Sequence, residues 1–491
     1  MKTLLINPYF QAVTKYERVE MPLGLMYIAA VLEENNFPVR IIDASVGQKR
    51  LLQKDTWHYG DTLDELIIKV KKEQPDIVGI GCFFSMRFPY VLEVAREIKK
   101  INKDIIIAIG GIHPTVFTEQ ILKDYPFFDY IILGEGEYSF LDLIKVIQSR
   151  DLKKLQEIDG LAYCQAGRIL INPKTKFIEN LDTLPFPARH LVPVEDYLRD
   201  SAPVNWGLGA NRQFAILTSR SCPNKCSFCS MYLIHGARWR ARSAENVLEE
   251  IELLVNQYQA KELCIEDDNL TLSKQRILDI CQGMIDRGIK VKWNTPNGVA
   301  VRYLDYEILQ KMKEAGCVCV NLAIESGDEH MRNTVIGKNL SQEKIYEVVR
   351  ICKKIGLKAN GYFVLGMPGE TKKSLENTNR ILKDLPFNGL SIFFATPFPG
   401  TKLFQWVTDG KMMDDTTLDD IIKGNFILFN RPVIKLDDVD FDDLIRYKKK
   451  MIFTWMRRNF FDIVWSILRG KNDFFNIPSI VRFLKFYLPS K

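Results

Sequence analysis

Apolar residues along this chain fall into short runs, and the runs alternate between two periods. Through the first 150 residues, five β-rich clusters stand out: Thr3–Asn7, Val39–Asp43, Ile77–Gly81, Ile105–Ile109 and Tyr130–Leu133. Between them apolar positions recur at helical spacing, over Leu25–Glu34, Leu63–Glu73, Tyr90–Asn102 and Tyr138–Gln148. Strand–helix alternation predicts a doubly wound parallel sheet of Rossmann-like α/β type. The rhythm stops over residues 151–210, an irregular Pro-containing stretch (Leu184-Pro-Phe-Pro-Ala) that reads as a connector. It then resumes, with strands expected at Phe214–Thr218, Leu263–Glu266, Val291–Asn294, Val318–Ile324, Ala359–Leu365 and Leu390–Ala395. Six such units predict a partial (β/α)6 TIM-type barrel. The expected domains are residues 1–148, a connector over 149–210, a barrel core over 211–402 and a helical C-terminal region over 403–491.

Composition changes this picture little. Of 491 residues, 46% are hydrophobic and 26% charged, which is ordinary for a globular chain. The net charge of +6 is uneven: 11 Lys or Arg face 4 Asp or Glu between Phe441 and Lys491. Only that tail is basic. Ten Cys in a chain this long make no disulfide framework, no signal peptide opens it, and no apolar run reaches the roughly 18 residues a bilayer demands. The expected setting is cytoplasmic and reducing.

Chemistry gathers at the carboxyl ends of the predicted strands, where parallel sheets bind ligands. In the first half those ends carry Tyr9, Ser85, Gly110-Gly111-Ile112-His113 and Gly134-Glu135-Gly136. Each Gly pair alone is a tight turn; together they outline a rim that backbone can share with a large flat ligand. No Gly-x-Gly-x-x-Gly follows the first strand, so a dinucleotide fingerprint is absent. In the second half the ends carry Asp267 and Asp268, Asn294, Glu325-Ser326, Gly366 within Gly-Met-Pro-Gly-Glu370-Thr, and Thr396 within Thr-Pro-Phe-Pro-Gly-Thr. Any one of these reads as a cap or turn. One polar group per strand, all at the same end, is what a site on a barrel rim needs.

The sharpest motif is Ser-Cys222-Pro-Asn-Lys-Cys226-Ser-Phe228-Cys229. Three thiolates so close suit three irons of a [4Fe–4S] cluster, with the fourth iron left open. Two other readings stand beside it. Structural zinc takes Cys₃His, with His235 as the fourth ligand, although zinc pairs usually come as two separated knuckles. The thiols are also small hydrophobes. The remaining seven Cys lie mostly in apolar patterns and read as buried hydrophobes, Cys317 and Cys319 sharing one strand face.

This Cys-x-x-x-Cys-x-x-Cys spacing resembles the signature of radical S-adenosylmethionine (SAM) enzymes. The likeness runs from about residue 213 to 405, through Ile-Glu-Ser-Gly, Gly-Met-Pro-Gly-Glu-Thr and Thr-Pro-Phe-Pro-Gly-Thr. It implies that Cys222, Cys226 and Cys229 hold the cluster and that SAM occupies the open iron. Asp267 and Asp268 would lie near the SAM amino group, and Glu325 and Ser326 near its ribose. Phe228, Gly366 and Thr396 would border the adenine, and Asn294 would be a further SAM-binding residue at a strand end. Met21-Pro-Leu-Gly-Leu-Met-Tyr, Gly110-Gly-Ile-His-Pro-Thr and Leu133-Gly-Glu-Gly-Glu in turn resemble the cobalamin-binding domain of a large radical SAM subgroup. That likeness covers residues 1 to about 145. The Asp-x-His-x-x-Gly loop whose His ligates cobalt is missing, since Asp55-Thr-Trp-His58 has the wrong spacing. No His ligand to cobalt is therefore expected.

From Met451 the chain reads as an amphipathic helix, with 12 aromatic residues in the last 51. Three readings are open: a lid on the barrel, a surface for anionic lipid at the inner membrane face, and, least favoured, a nucleic-acid groove. The family resemblance implies a cobalamin-dependent methyltransferase acting on an unactivated carbon of an apolar or lipid-like small molecule. It would be fed electrons by a flavodoxin or ferredoxin. Radical rearrangement, ring contraction or oxidative cyclisation is the second reading. A non-catalytic zinc or corrinoid sensor is the third.

Overall fold

The computed structural model describes residues 1–12, 17, 19–53, 56–200, 212–424 and 431–461. The chain divides into two compact units. One comprises Met1–Ala202 with Ser230–Arg240 and Leu418–Phe426; the other comprises Pro203–Cys229 with Ala241–Thr417 and Ile427–Lys491.

The first unit is built on β1 (Thr3–Asn7), β2 (Val39–Asp43), β3 (Ile77–Gly81), β4 (Ile106–Gly110) and β5 (Tyr130–Ile132), all parallel. Their runs are apolar without alternation because both faces are covered. Leu5 faces one core with Met26 of α1 (Leu23–Glu34), while Leu4 and Ile6 face the other. That second core also takes Leu66 of α2 (Leu63–Glu73) and Val91 of α3 (Phe88–Ile101). Phe140 and Leu143 of α4 (Glu137–Ser149) join the first core. A capping box between Thr62 and Glu65 starts α2 where the pattern predicted.

The connector departs from expectation. Part of it forms two strands, β6 (Leu161–Gln165) and β7 (Arg168–Ile171), which extend the sheet antiparallel in the order β7-β6-β5-β4-β3-β1-β2. Their two-residue turn puts Ala166 at φ 49° and Gly167 at φ 76°, and a turn with both φ positive matches strand twist. The Ala-Gly pair was the signal; the strands around it are too short and mixed to announce themselves. A separate three-stranded antiparallel sheet joins Phe10–Ala12, Thr56–Tyr59 and Lys49–Gln53.

The second unit is a six-stranded, wholly parallel sheet in chain order. Its strands are β8 (Gln213–Ile216), β9 (Glu262–Ile265), β10 (Lys292–Val299), β11 (Cys317–Glu325), β12 (Lys358–Leu365) and β13 (Gly389–Phe394). Five fall where the apolar runs predicted. β10 runs longer because it bulges: Thr295 pairs Val320 and Val299 pairs Leu322, leaving Pro296-Asn297-Gly298 outside the ladder. The Pro made the strand read as finished at Asn294. Tyr362 fastens the bulge by donating its hydroxyl to Pro296 O at 2.8 Å.

Two helices close this unit, α5 (Lys372–Asp384) and α6 (Phe441–Arg458). α6 begins ten residues before the expected Met451, because Asp440 caps it by accepting from Asp443 N at 2.6 Å. Leu444, Met451, Ile452 and Trp455 form its buried face. The expected helix beyond residue 461 lies outside the described residues. Among those described, no helix is long and apolar enough to cross a membrane.

Candidate functional site

The cysteine loop leaves the end of β8 and is fastened to the end of β9 by three consecutive side chains. Asp267 accepts from Thr218 N, Thr218 Oγ1 and Ser219 Oγ, each at 2.6 Å. Asp268 accepts from Ser221 N at 2.8 Å, and Asn269 points its amide nitrogen at Cys222 Sγ, 3.5 Å away. The grip holds a tightly wound segment: Ser221 and Lys225 take φ of 70° and 43°, values that side-chain-bearing residues adopt only when held. On its far side the loop joins two more segments, Ser227 N donating to Ile336 O at 3.0 Å and Leu403 N to Ser227 O at 2.8 Å. Cys226 is buried, while Cys222 and Cys229 are half-buried, as is Phe228. Burial pushes the Cys226 thiol up, and the Lys338 charge opposes that.

Asp267 and Asp268 both grip the cysteine loop. Asp267 is buried with its oxygens taken by the loop, so it shapes the cysteine loop. Glu325, at φ 68° at the end of β11, pairs with Lys338 at 2.9 Å. Ser326 is buried; its hydroxyl accepts from Asp328 N at 3.1 Å and lies 3.4 Å from that of Thr378. Gly327 donates to Thr378 Oγ1 at 2.9 Å, and a Cβ there would lie 2.4 Å from Thr378 Cα, so only glycine lets α5 approach. Gly366, at φ 87°, donates to Glu370 Oε2 at 2.5 Å. Burial pushes that carboxyl up to about 8, with the Gly366 and Met367 amides opposing. Thr396 sits buried after β13, donating to Phe394 O at 3.3 Å. Asn294 is buried on β10. Sequence reasoning missed a polar ladder across the sheet: Asn360 donates to Asn321 Oδ1 and Asn321 to Thr295 O, both at 2.8 Å. Buried Asn on three neighbouring strands was the available signal.

These side chains fit the cofactors the motif implies. Three thiols on one constrained loop suit thiolates that must lose their protons to iron, and the Lys338 charge favours that loss at Cys226. No three His, Cys, Asp or Glu side chains among the described residues gather as ligands of a single ion. His235, the candidate zinc ligand, turns Nδ1 to Glu135 Oε1 at 3.4 Å. Of the other thiols, Cys82, Cys264, Cys281, Cys317, Cys319 and Cys352 are buried as expected, whereas Cys164 is exposed at the β6–β7 turn.

In the first unit the strand order reverses between β1 and β3, the place where open parallel sheets take ligands. Beyond β3, Phe83 and Phe84 stand 45% and 50% exposed, followed by half-buried Ser85. Two exposed aromatics at this point suit a large flat ligand; the sequence reading passed over them. Tyr9 is buried and donates to Glu93 Oε2 at 2.7 Å. Gly110 meets nothing closer than ordinary contact, but a Cβ on Gly111 would lie 2.3 Å from Cys82 O. Gly134 (φ 64°) and Gly136 likewise face neighbouring side chains and backbone, so this part of the rim is shaped by chain packing. Glu135 is buried in a bidentate pair with Arg240 (2.8 and 3.0 Å) and accepts from Ile178 N at 3.0 Å. His113 is 1% exposed between Phe88 and Phe117, with neither ring nitrogen hydrogen-bonded, and burial pushes it down to about 3.

A parallel sheet with an aromatic rim at its reversal point, and a second carrying a clamped three-thiol loop, fit the class of cobalamin-binding radical enzymes. Family models agree with that class: a B12 binding domain matches residues 12–144 and the Radical SAM superfamily matches residues 216–382. The chain is 32% identical over 431 residues to the uncharacterized methyltransferase PH0819 of Pyrococcus horikoshii, covering 86% of this chain and 88% of that one. It is 29% identical to cytidylyl-2-hydroxyethylphosphonate methyltransferase of Streptomyces wedmorensis, covering 82% and 81%. In fold it matches the cobalamin-dependent radical enzyme OxsB with aqua-cobalamin bound, with TM-score 0.73 and 19% identity over 99% of this chain and 70% of that one. The chain belongs to the family of cobalamin-binding radical SAM enzymes, and its cofactors are cobalamin, a [4Fe–4S] cluster and SAM.

Proposed function

We propose that this enzyme transfers a methyl group to an unactivated carbon of an apolar or lipid-like small molecule. The observation that carries the reading is the cysteine loop, locked by Asp267, Asp268 and Asn269 at the carboxyl end of a parallel sheet. Kinship with two methyltransferases over more than four-fifths of each supports methyl transfer over rearrangement. When bound, the cofactors supply hydrogen-atom abstraction from a C–H bond and a methyl group to replace the hydrogen.

The chain's own residues provide position and shielding. Cys222, Cys226 and Cys229 are the cluster ligands. Asp267 and Asp268 hold their loop. Phe228, Asn294, Ser326, Gly366 and Thr396 line the strand ends toward SAM, and Glu325 stands there with Lys338. Phe83, Phe84 and Ser85 beyond β3, and Gly110 at the end of β4, face the corrinoid. Tyr9, Gly111, His113, Gly134, Glu135 and Gly136 keep that rim in shape from behind. An electron donor of flavodoxin or ferredoxin type reduces the cluster.

The test is anaerobic reconstitution with iron, sulfide and hydroxocobalamin, then incubation with methyl-labelled SAM, a strong reductant and a cellular lipid extract. Label should enter an organic-soluble product, with one 5′-deoxyadenosine per methyl transferred. Deoxyadenosine without labelled product would redirect the assignment to rearrangement or cyclisation. Zinc in place of iron would overturn the cluster assignment itself.

A further inference from the structure

Lys338 is an ammonium placed where an ammonium is not expected. Its side chain is only 11% exposed, and its nitrogen lies 2.9 Å from Glu325 Oε1. The loop that carries it is built with care. Arg332 is fully buried, donating through Nε to Leu340 O at 2.7 Å and through Nη1 to Ser326 O at 2.8 Å. Lys338 N returns to Arg332 O at 3.0 Å, and Asn333 exchanges two hydrogen bonds with the Leu340 backbone. The bracket therefore ties the Lys338 loop to the end of β11 independently of the ammonium. Ile336, two residues before Lys338, accepts from Ser227 N, the residue after Cys226. That backbone bond joins the Lys338 loop directly to the cysteine loop. Burial pulls the Lys338 ammonium down, and the Glu325 carboxylate paired with it opposes that and more.

We propose that Lys338 is a built-in counter-ion of the cluster, held beside Cys226 by the Arg332 bracket, and that with Glu325 it sets the cluster's reduction potential. The inference rests on the reading of Cys222, Cys226 and Cys229 as cluster ligands. Reduction adds an electron to a site already carrying thiolates. A fixed positive charge in a poorly screened pocket favours the reduced form, and a fixed negative charge opposes it. Lys338 and Glu325 therefore push the potential in opposite directions, although they share one ion pair.

That opposition gives the test. The full-length enzyme is reconstituted with iron and sulfide, without SAM, and its midpoint potential is read by electron paramagnetic resonance during redox titration. Lys338→Met should lower the reduced-to-oxidised ratio at fixed solution potential by about tenfold, a midpoint shift of about 59 mV to more negative values for one electron. Glu325→Gln should move the midpoint the other way, and Lys338→Arg should restore it. A merely structural pair would move both variants in the same direction or in neither, and either result overturns the proposal. Should Lys338→Met fail to load iron, loading by Lys338→Arg supports the counter-ion, and failure of both overturns it. Failure of the wild-type chain to hold iron would instead overturn the cluster reading. A loaded wild type with unmoved midpoints in the variants would sink this inference alone.

Discussion

Asp267 shows how much one carboxylate can organise. It satisfies a backbone amide and two hydroxyls from residues that precede the cysteines. Asn in its place keeps one oxygen but presents an amide where a hydroxyl proton now points, leaving a buried donor unmatched. Asp267→Asn should destabilise this unit by about 1–3 kcal/mol and lower iron content per chain. Thermal unfolding and iron analysis on the same sample check it; unchanged values for both would mean the grip is redundant. The residue types at this site were legible in the sequence, but their packing partners were not. Asp267, Ser326 and Glu135 read as ligand-facing because acids and hydroxyls at strand ends usually are. Each also meets a partner far along the chain: Thr218, Thr378 and Arg240. Spacing motifs carry no record of such distant partners.

At the scale of elements, parallel strands were easy to see and exceptions hard. Strands covered on both faces form plain apolar runs, and five of the six in the second unit lie within two residues of their expected ends. β10 broke the rule because its bulge places a proline inside a strand, and β6 and β7 because each is short and only part of β6 is buried. The start of α6 was missed because Phe441-Asp-Asp looks polar, although Asp440 caps it. That helix is an anchor of its unit: Trp455 is buried and donates Nε1 to Phe387 O at 3.0 Å. Trp455→Ala should cost about 3–5 kcal/mol, and Trp455→Phe, which chiefly loses the hydrogen bond, about 1 kcal/mol. Chemical denaturation followed by circular dichroism separates the two; equal losses would show that the hydrogen bond and not the packing holds α6.

For the molecule as a whole, the other face of α6 is unusual. Phe453 on that face is 65% exposed and Phe461, just past the end of α6, 77%, and Arg446, Lys449, Arg457 and Arg458 lie in the same stretch of chain. Residues 441–491 carry a net +7. Aromatics beside cations suit an anionic membrane surface, where each Lys or Arg near the lipid contributes about 1 kcal/mol. The enzyme should sediment with anionic vesicles at low salt, release as salt rises, and bind less when Phe453 and Phe461 are both replaced by Ser. Equal affinity for neutral vesicles, or none for anionic ones, would return this face to ordinary solvent exposure.

The three-residue clasp on the cysteine loop has one more consequence. Small zinc modules take their shape from the ion they hold and lose it with the ion. Here carboxylates and an amide of the polypeptide also grip the loop that carries the cysteines. Protein stripped of iron in air should therefore take iron up again on reconstitution without prior unfolding, which iron analysis before and after checks.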